Sequence, residues 1–400
     1  MGLWSSRTSR EWRPCTGRRA ARPTAARRLG ITGIHEYKGK FNPQVVRSFA
    51  NLLGLEPGDW LLDPFCGSGT ALVEGLSMGA NVHGIDRSPL AVHLARTKVA
   101  AVRHRWPEKL AVTLESWMQS SFAQIERSQQ QERVVESGLV HLDAGSRAYL
   151  ERWFTSPALA AMSAALYARS RLDPLERALV DVAISSLCRS VSLQLPEDLR
   201  IRRRPDGYVA PPIAEALSEA VRNIAVGLRE LAEAPFSNAG TGSVHLGSAS
   251  SARAFRELRG RASRCAVITS PPYATALPYI DTDRLSITLL GLAPASRIGH
   301  LERRLFGSRD WSTAEAREWG ERRATNQDAL PQSIVALCAE LHEAGQAAGF
   351  RRKAVPGLLY RYFVNMRDAL SRIRSILRSG EERSSSWETT GPLALTATPA

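Results

Sequence analysis

Asp63-Pro64-Phe65-Cys66-Gly67-Ser68-Gly69-Thr70 sits between a short apolar run and a helical stretch, and Asp86 closes the next apolar run. A glycine turn between a strand and a helix lets a ligand approach the backbone, and the helix start offers free N–H groups. An acid at the tip of the following strand can hold ribose hydroxyls. The pattern therefore suits a nucleoside cofactor, although a glycine turn alone is often just a tight connection. It is not the dinucleotide fingerprint, because the third glycine is absent at the required spacing, nor a Walker loop, because no Gly-Lys-Ser/Thr follows.

Ser270-Pro271-Pro272-Tyr273 is the second constellation, directly after the apolar run Ala266–Thr269. Two prolines fix φ and remove N–H donors, which turns the chain sharply and leaves carbonyls free to accept. Ser270 adds a hydroxyl and Tyr273 a flat face. Such a group can accept both hydrogens of an exocyclic amine while the ring stacks on the tyrosine. By itself, Ser-Pro-Pro-Tyr also reads as a plain turn.

The elements around these motifs follow from the apolar pattern. Helical spacing over residues 41–55 precedes a Pro57-Gly58 turn and a buried strand, Trp60 to Leu62, ending at Asp63. A helix over Thr70–Met78 and a second strand over Asn81–Ile85 come next, and Ser88-Pro89 provides the N-cap and first turn of another helix. The order strand–turn–helix–strand makes a right-handed βαβ unit and implies a parallel sheet. Residues 107–235 read as mainly helical, broken at Pro157, Pro174, Pro196 and the Pro205–Gly207 turn. A Gly/Ser/Asn-rich link at 236–243 leads to two more strands, Val244–Leu246 and Ala266–Thr269, then to helices at 279–292, about 329–349 and 356–378.

Together the two motifs are specific. Asp-Pro-Phe-Cys-Gly-Ser-Gly-Thr with Ser-Pro-Pro-Tyr resembles the amino-methyltransferases of DNA, the cytosine-N4 and adenine-N6 group that uses S-adenosyl-L-methionine. His35-Glu36-Tyr37-Lys38-Gly39-Lys40-Phe41 is similar to the segment which that family places over the methionine end of the cofactor. The resemblance covers about residues 31–106 and 243–292. It implies a doubly wound, Rossmann-like α/β sheet with a helical insertion. It also implies that Asp63, Phe65, Gly67, Gly69 and Thr70 line the methionine part of the cofactor, that Asp86 binds the ribose, and that Tyr37, Lys40 and Phe41 close the carboxylate side. Ser270, Pro271, Pro272 and Tyr273 would hold the target base. Where the family often has Gly-Asp-Ala after its third strand, this chain has Gly247-Ser248-Ala249, so Ser248 replaces the acid at the adenine amine and a weaker contact is expected.

The implied chemistry is methyl transfer to an amine whose lone pair is delocalised into the ring. Accepting its two protons at Ser270 and the Pro271 carbonyl frees that lone pair, so positioning supplies much of the rate. The base lies inside duplex DNA and must flip out, with Tyr273 stacking on it. Carbon-5 methylation would need a cysteine where this chain has proline, and is excluded. Cys66 reads as a small packing residue. Serine at the head of the motif leans toward cytosine N4. The family setting is DNA methylation in restriction–modification, and a cytoplasmic, nucleoid-associated enzyme is expected. The rivals are adenine-N6 methylation of DNA, methylation of an RNA base amine, such as tRNA guanine N2, and a non-catalytic remnant that binds cofactor or DNA.

Composition is compatible with this. The chain has 400 residues, 44% hydrophobic and 23% charged, with no apolar run long enough to span a membrane. Its five scattered cysteines show no C-x-x-C pair, its eight histidines no metal-ligand spacing, and no metal is expected. The net charge is +14, which suits a polyanionic partner. Half of it lies in residues 1–30, with eight arginines and one acid, which read as a disordered basic tail. A nucleic-acid-binding tail and a transit peptide compete there with an extension of no role or a start codon set too far upstream, which is preferred. Beyond the tail, residues 31–106 and 241–380 read as the halves of one catalytic domain. The stretch 107–240 is either a target-recognition region or a structural insertion. Arg202, Arg203 and Arg204 are candidates for phosphate contact or for a solvated loop, and Asp281, Asp283 and Arg284 for base positioning or for a local salt bridge and cap. Only four strands can be placed. Residues 381–400 read as an irregular tail that supplies one short strand at most, from Pro392 to Thr396, so the C-terminal strands are expected to be missing, as in a truncated or frame-shifted gene. The fourth strand would then be an exposed edge.

Overall fold

A computed structural model describes residues 30–37, 39–198, 202–233, 240–258, 264–275, 278–345, 350–379, 387–390 and 394–397. Residues 1–29 of the basic tail, Lys38 and residues 236–239 of the link therefore lie outside the described residues.

The four parallel strands form where short apolar runs end in turn residues. They are β1 (Trp60–Asp63), β2 (Asn81–Asp86), β3 (Gly242–Leu246) and β4 (Cys265–Ile268). β1 pairs with β2 on one side and β4 on the other, and β3 pairs with β2, all parallel. α1 (Pro43–Leu52), α2 (Thr70–Ser77) and α3 (Pro89–Val102) pack on one face. Asn42 caps α1 by accepting from Gln44 N, and Ser88 caps α3 by accepting from Ala91 N. Leu61 and Val82 point into that layer, whereas Leu62 and Ile85 point to the opposite face. There a 3₁₀ helix (Ala252–Leu258) covers them with Phe255 and Leu258. Both faces are thus covered, and the fold is a doubly wound, Rossmann-like α/β sheet.

The region after α3 is helical: α4 (Pro107–Gln130), α5 (Ala144–Trp153), α6 (Ser156–Ala168), α7 (Pro174–Val191) and α8 (Ile213–Ala232). Pro157 and Pro174 do not break helices; they sit in the first turns of α6 and α7, where the missing N–H costs nothing. These helices share one apolar core with α1–α3. After β4 come α9 (Arg284–Leu289), α10 (Ile298–Arg304), α11 (Thr313–Ala324), α12 (Gln332–Gly345) and α13 (Phe350–Ser379), with Pro356 inside α13.

The tail corrects one expectation. Two short strands, β5 (Trp387–Thr390) and β6 (Ala394–Ala397), complete a six-stranded sheet of order β3-β2-β1-β4-β6-β5. β6 runs antiparallel along β4 and β5 antiparallel along β6, so β4 is not an open edge and the C-terminal strands are not missing altogether.

Candidate active site

The residues with chemistry collect at the carboxyl ends of β1, β2 and β4. Asp63 ends β1 and is buried. Its Oδ1 accepts from Phe65 N at 3.1 Å and from Thr269 Oγ1 at 2.6 Å. Burial pushes the Asp63 carboxyl up to about 7 against those two donors. The Thr269 bond ties the tip of β1 to the tip of β4, 206 positions away.

The glycine turn follows. Gly67 and Gly69 adopt positive φ, +48° and +83°, which side chains rarely tolerate. A Cβ on Gly67 would lie 3.1 Å from the Tyr37 ring, and one on Gly69 would lie 2.9 Å from Ala95 Cβ in α3. Tyr37 therefore lies flat against the turn and α3 close behind it. Asp86 ends β2. Its Oδ2 accepts from Gly67 N at 2.9 Å and its Oδ1 from Ser88 N at 2.8 Å. Burial raises its carboxyl above the ordinary range, opposed by those amides. Cys66 is buried beside Gly84, a packing position, and burial raises its thiol.

The turn suits a polar nucleoside-bearing donor on one further ground. Ser68 Oγ and Thr70 Oγ1, both buried at the start of α2, have no hydrogen-bond partner among the described residues. Hydrogen-bonding capacity is left over where a ligand would lie.

Across the mouth, Ser270 to Tyr273 leave β4 with Pro271 buried and Tyr273 63% exposed. Tyr273 N donates to Tyr279 Oη at 3.2 Å. Burial raises the Tyr37 hydroxyl well above its ordinary value, and the Asp86 and Asp283 carboxylates raise it further. Asp86 also raises Tyr279, after burial and the Tyr273 contacts. The Asp63–Thr269 bond sets the two strand tips side by side.

Other expected residues are placed less directly. Lys40 donates to the Thr32 carbonyl, and buried Lys98 donates to the same oxygen at 3.3 Å. Burial, then Lys40, pulls Lys98 down to about 7. Phe41 and Tyr37 both pack against the main core. Phe65 stacks edge-on against Phe306, 5.0 Å between ring centres. Ser248 Oγ is 2.8 Å from Ser250 Oγ and accepts from Ser250 N, so it caps its own turn at the end of β3. Asp281 and Arg284 form a local ion pair at 2.6 Å. Arg203 and Arg204 donate to backbone carbonyls, and Arg202 pairs with Asp198.

Several supports were not visible in the motifs. Thr269 is one, although a lone hydroxyl ending the apolar run Cys265–Ile268 marks it in retrospect. Tyr279 is another. Glu302 accepts from Ile280 N at 3.0 Å beneath that turn, and burial pushes it up to about 7. Gly307 has φ +71°, and a Cβ there would lie 2.5 Å from Tyr273 O. Thr275 N donates to Gly307 O at 2.9 Å. The Phe306-Gly307 segment therefore clamps both motifs at once.

Residues 34–135 match a family model described as an RMKL-like methyltransferase domain. The chain is 48% identical over 69 residues to the Type II methyltransferase M.MjaII of Methanocaldococcus jannaschii, covering 17% of this chain and 13% of that protein. It is 46% identical over 50 residues to a tRNA (guanine(10)-N2)-dimethyltransferase of Methanothermobacter thermautotrophicus, covering 12% of this chain and 15% of that protein. It is 37% identical over 79 residues to the Type II methyltransferase M.MvaI of Kocuria varians, covering 19% of this chain and 17% of that protein. The matched stretches thus span less than a fifth of these relatives' length. No solved structure matches. Among the described residues, no helix is long and apolar enough to cross a membrane.

Proposed function

We propose that this protein is a site-specific DNA methyltransferase that moves a methyl group from S-adenosyl-L-methionine to an exocyclic base amine, cytosine N4 first. The observation that carries the proposal is the bond from Thr269 Oγ1 to Asp63 Oδ1 at 2.6 Å, which fixes the cofactor-type turn beside the amine-accepting turn. The similarity to Type II methyltransferases supports DNA as the substrate.

The cofactor supplies an electrophilic methyl sulfonium when bound. In this reading Tyr37 covers it at Gly67, Asp86 takes the ribose hydroxyls, and Asp63, Phe65, Gly69, Thr70, Lys40, Phe41 and Ser248 complete the pocket. The Ser270 hydroxyl and the Pro271 carbonyl would accept hydrogen bonds from the two amine N–H groups and so turn the nitrogen lone pair out of the ring, and the one proton the amine sheds on methylation would leave to solvent. Pro272 holds that carbonyl in place by fixing the chain after it. Tyr273, 63% exposed, is open to stack on a base flipped out of duplex DNA. The helices between residues 107 and 240 lie in the crossover from β2 to β3 and are the region proposed to read the target.

A second reading, methylation of guanine N2 in tRNA, draws on the tRNA-modifying relative. Incubating the protein with tritiated cofactor and either DNA or tRNA, then digesting to nucleosides, separates the two. Label in N4-methylcytosine from DNA is expected. Label only in tRNA guanine supports the second reading. Cofactor uptake without transfer to either polymer overturns both and points to a non-catalytic remnant.

A further inference from the structure

His83 lies mid-strand in β2, fully buried, on the face covered by the 3₁₀ helix Ala252–Leu258. Its Nε2 is 2.8 Å from the Ala254 carbonyl, which can only accept, so Nε2 carries the proton and Nδ1 the lone pair. Nδ1 sits 2.8 Å from Ser243 Oγ. The β2–β3 register sets Ser243 beside His83, and the two-residue period brings His245 to the same face. The two imidazole rings lie 4.9 Å apart. Glu257, on the covering 3₁₀ helix, brings Oε1 to 3.1 Å from His245 Nε2. One potential ligand atom from each of His83, His245 and Glu257 lies within 4.8 Å of the others.

The proton count around Ser243 is short. Its hydroxyl has one hydrogen, and both His83 Nδ1 and the Glu257 carboxylate face it as acceptors. A divalent cation among the three would satisfy both, with the hydroxyl or water as a further ligand. The bond from His83 Nε2 to a backbone carbonyl is the second contact that commonly orients a ligating imidazole and fixes its tautomer. Tetrahedral zinc with bonds of roughly 2.0–2.1 Å has ligand–ligand edges of about 3.3–3.4 Å. The His245–Glu257 pair, at 3.1 Å, is already close to one edge. The side chains of His245 and Glu257 are 31% and 48% exposed, which leaves an entry path.

We propose that His83, His245 and Glu257 hold a divalent transition-metal ion, zinc by preference, that clips β2, β3 and the 3₁₀ helix together. Two imidazoles and one carboxylate favour zinc over magnesium or calcium. The site lies back along the strands from Asp86 and Ser248, so its role is structural: it steadies the strand tips and takes no part in methyl transfer.

The test uses the untagged full chain, stripped with chelator and retitrated with zinc and with cobalt(II). One equivalent of each is expected at micromolar affinity or better. Cobalt should give the visible absorption of a four-coordinate site, and zinc should raise the melting temperature. Glu257→Gln, at a half-exposed position, should keep native circular dichroism and weaken binding at least tenfold. His245→Ala should weaken it a hundredfold. The proposal is overturned if the wild-type chain takes up no equivalent against a micromolar chelator, or if folded Glu257→Gln binds as tightly as wild type.

Discussion

Thr269→Val removes the hydroxyl that joins the tips of β1 and β4 and keeps the side chain's volume. Asp63 then loses one of its two donors in a buried setting, since Thr269 is 7% exposed and Asp63 3%. A hydrogen bond to a neutral partner contributes roughly 0.5–1.5 kcal/mol, and one to a charged partner roughly 1.5–3 kcal/mol. Because the carboxyl titrates at about 7, the loss should be about 1 kcal/mol well below neutrality and about 2 kcal/mol above it. The sign follows from linkage. The native pKa of Asp63 lies above its unfolded value, so wild-type stability falls as pH rises from the ordinary carboxylate range to about 7 and levels off beyond it. Thr269 opposes that rise. Without its hydroxyl the native pKa climbs further, and the gap between variant and wild type widens with pH, by about 1.4 kcal/mol for each unit of added shift. Urea midpoints measured on both proteins near pH ~5.5 and ~8.5 read this directly. Thr269→Ser should restore most of the loss. A gap that is flat or narrower at the higher pH would refute the placement of that bond.

Gly67→Ala should place a methyl against the Tyr37 ring at a left-handed backbone position, costing about 1 kcal/mol of stability and at least tenfold in cofactor affinity by calorimetry. Asp86→Asn puts an amide against the Gly67 or Ser88 N–H and removes a charge, so cofactor binding should weaken at least tenfold with little change in fold, checked by circular dichroism. Tyr273→Ala should abolish most methyl transfer while leaving cofactor affinity within about twofold, and Tyr273→Phe should retain transfer, since the proposed role is stacking. Lys98→Met should stabilise the protein most at and below neutral pH. Native Lys98 titrates at about 7, below its unfolded value, so wild-type stability rises as pH climbs from there and the melting-temperature gap should narrow toward pH ~10.

The four parallel strands and the two motifs were legible because each joins a short apolar run to a turn of glycine or proline. Observed strand ends fall within a residue or two of those runs. Elements without an apolar stripe were not legible. α11 buries no residue at all, so no periodicity announces it. What holds its start is the capping box of Ser312 and Glu315, a four-residue pattern that the hydrophobic reading passes over. The interruptions expected at Pro157 and Pro174 fall just before them, because these prolines open α6 and α7 behind the caps Thr155 and Asp173, while Pro196 and Pro205–Gly207 lie in the link between α7 and α8. β6 overlaps the one short strand expected from Pro392 to Thr396, whereas β5, Trp387–Thr390, carries no apolar alternation and pairs through backbone alone. The supports of the site, Thr269, Glu302 and Phe306-Gly307, act across long separations that no local pattern encodes.

Why the two motifs must meet follows from the connections. The crossovers from β1 to β2 and from β2 to β3 run over the face that carries α2 and α3. The link from β3 to β4 runs over the other face through the 3₁₀ helix Ala252–Leu258. In the order β3-β2-β1-β4 the chain steps from β1 outward to β2 and β3 and then resumes at β4 on the other side of β1, and at such a reversal the carboxyl ends of the two neighbouring strands are where open α/β sheets bind ligands. Asp63 and Thr269 are the last side chains before each strand turns away, so their bond lies at that reversal. The turn that follows Asp63 needs glycines because Tyr37 and α3 close on it from both sides. The turn that follows Thr269 uses prolines instead, which bring no amide donors of their own. In the glycine turn Phe65 N, Cys66 N, Gly67 N and Gly69 N already donate to Asp63, Ile85, Asp86 and Cys66, so what that turn keeps for the proposed cofactor is the hydroxyls of Ser68 and Thr70, unpartnered among the described residues.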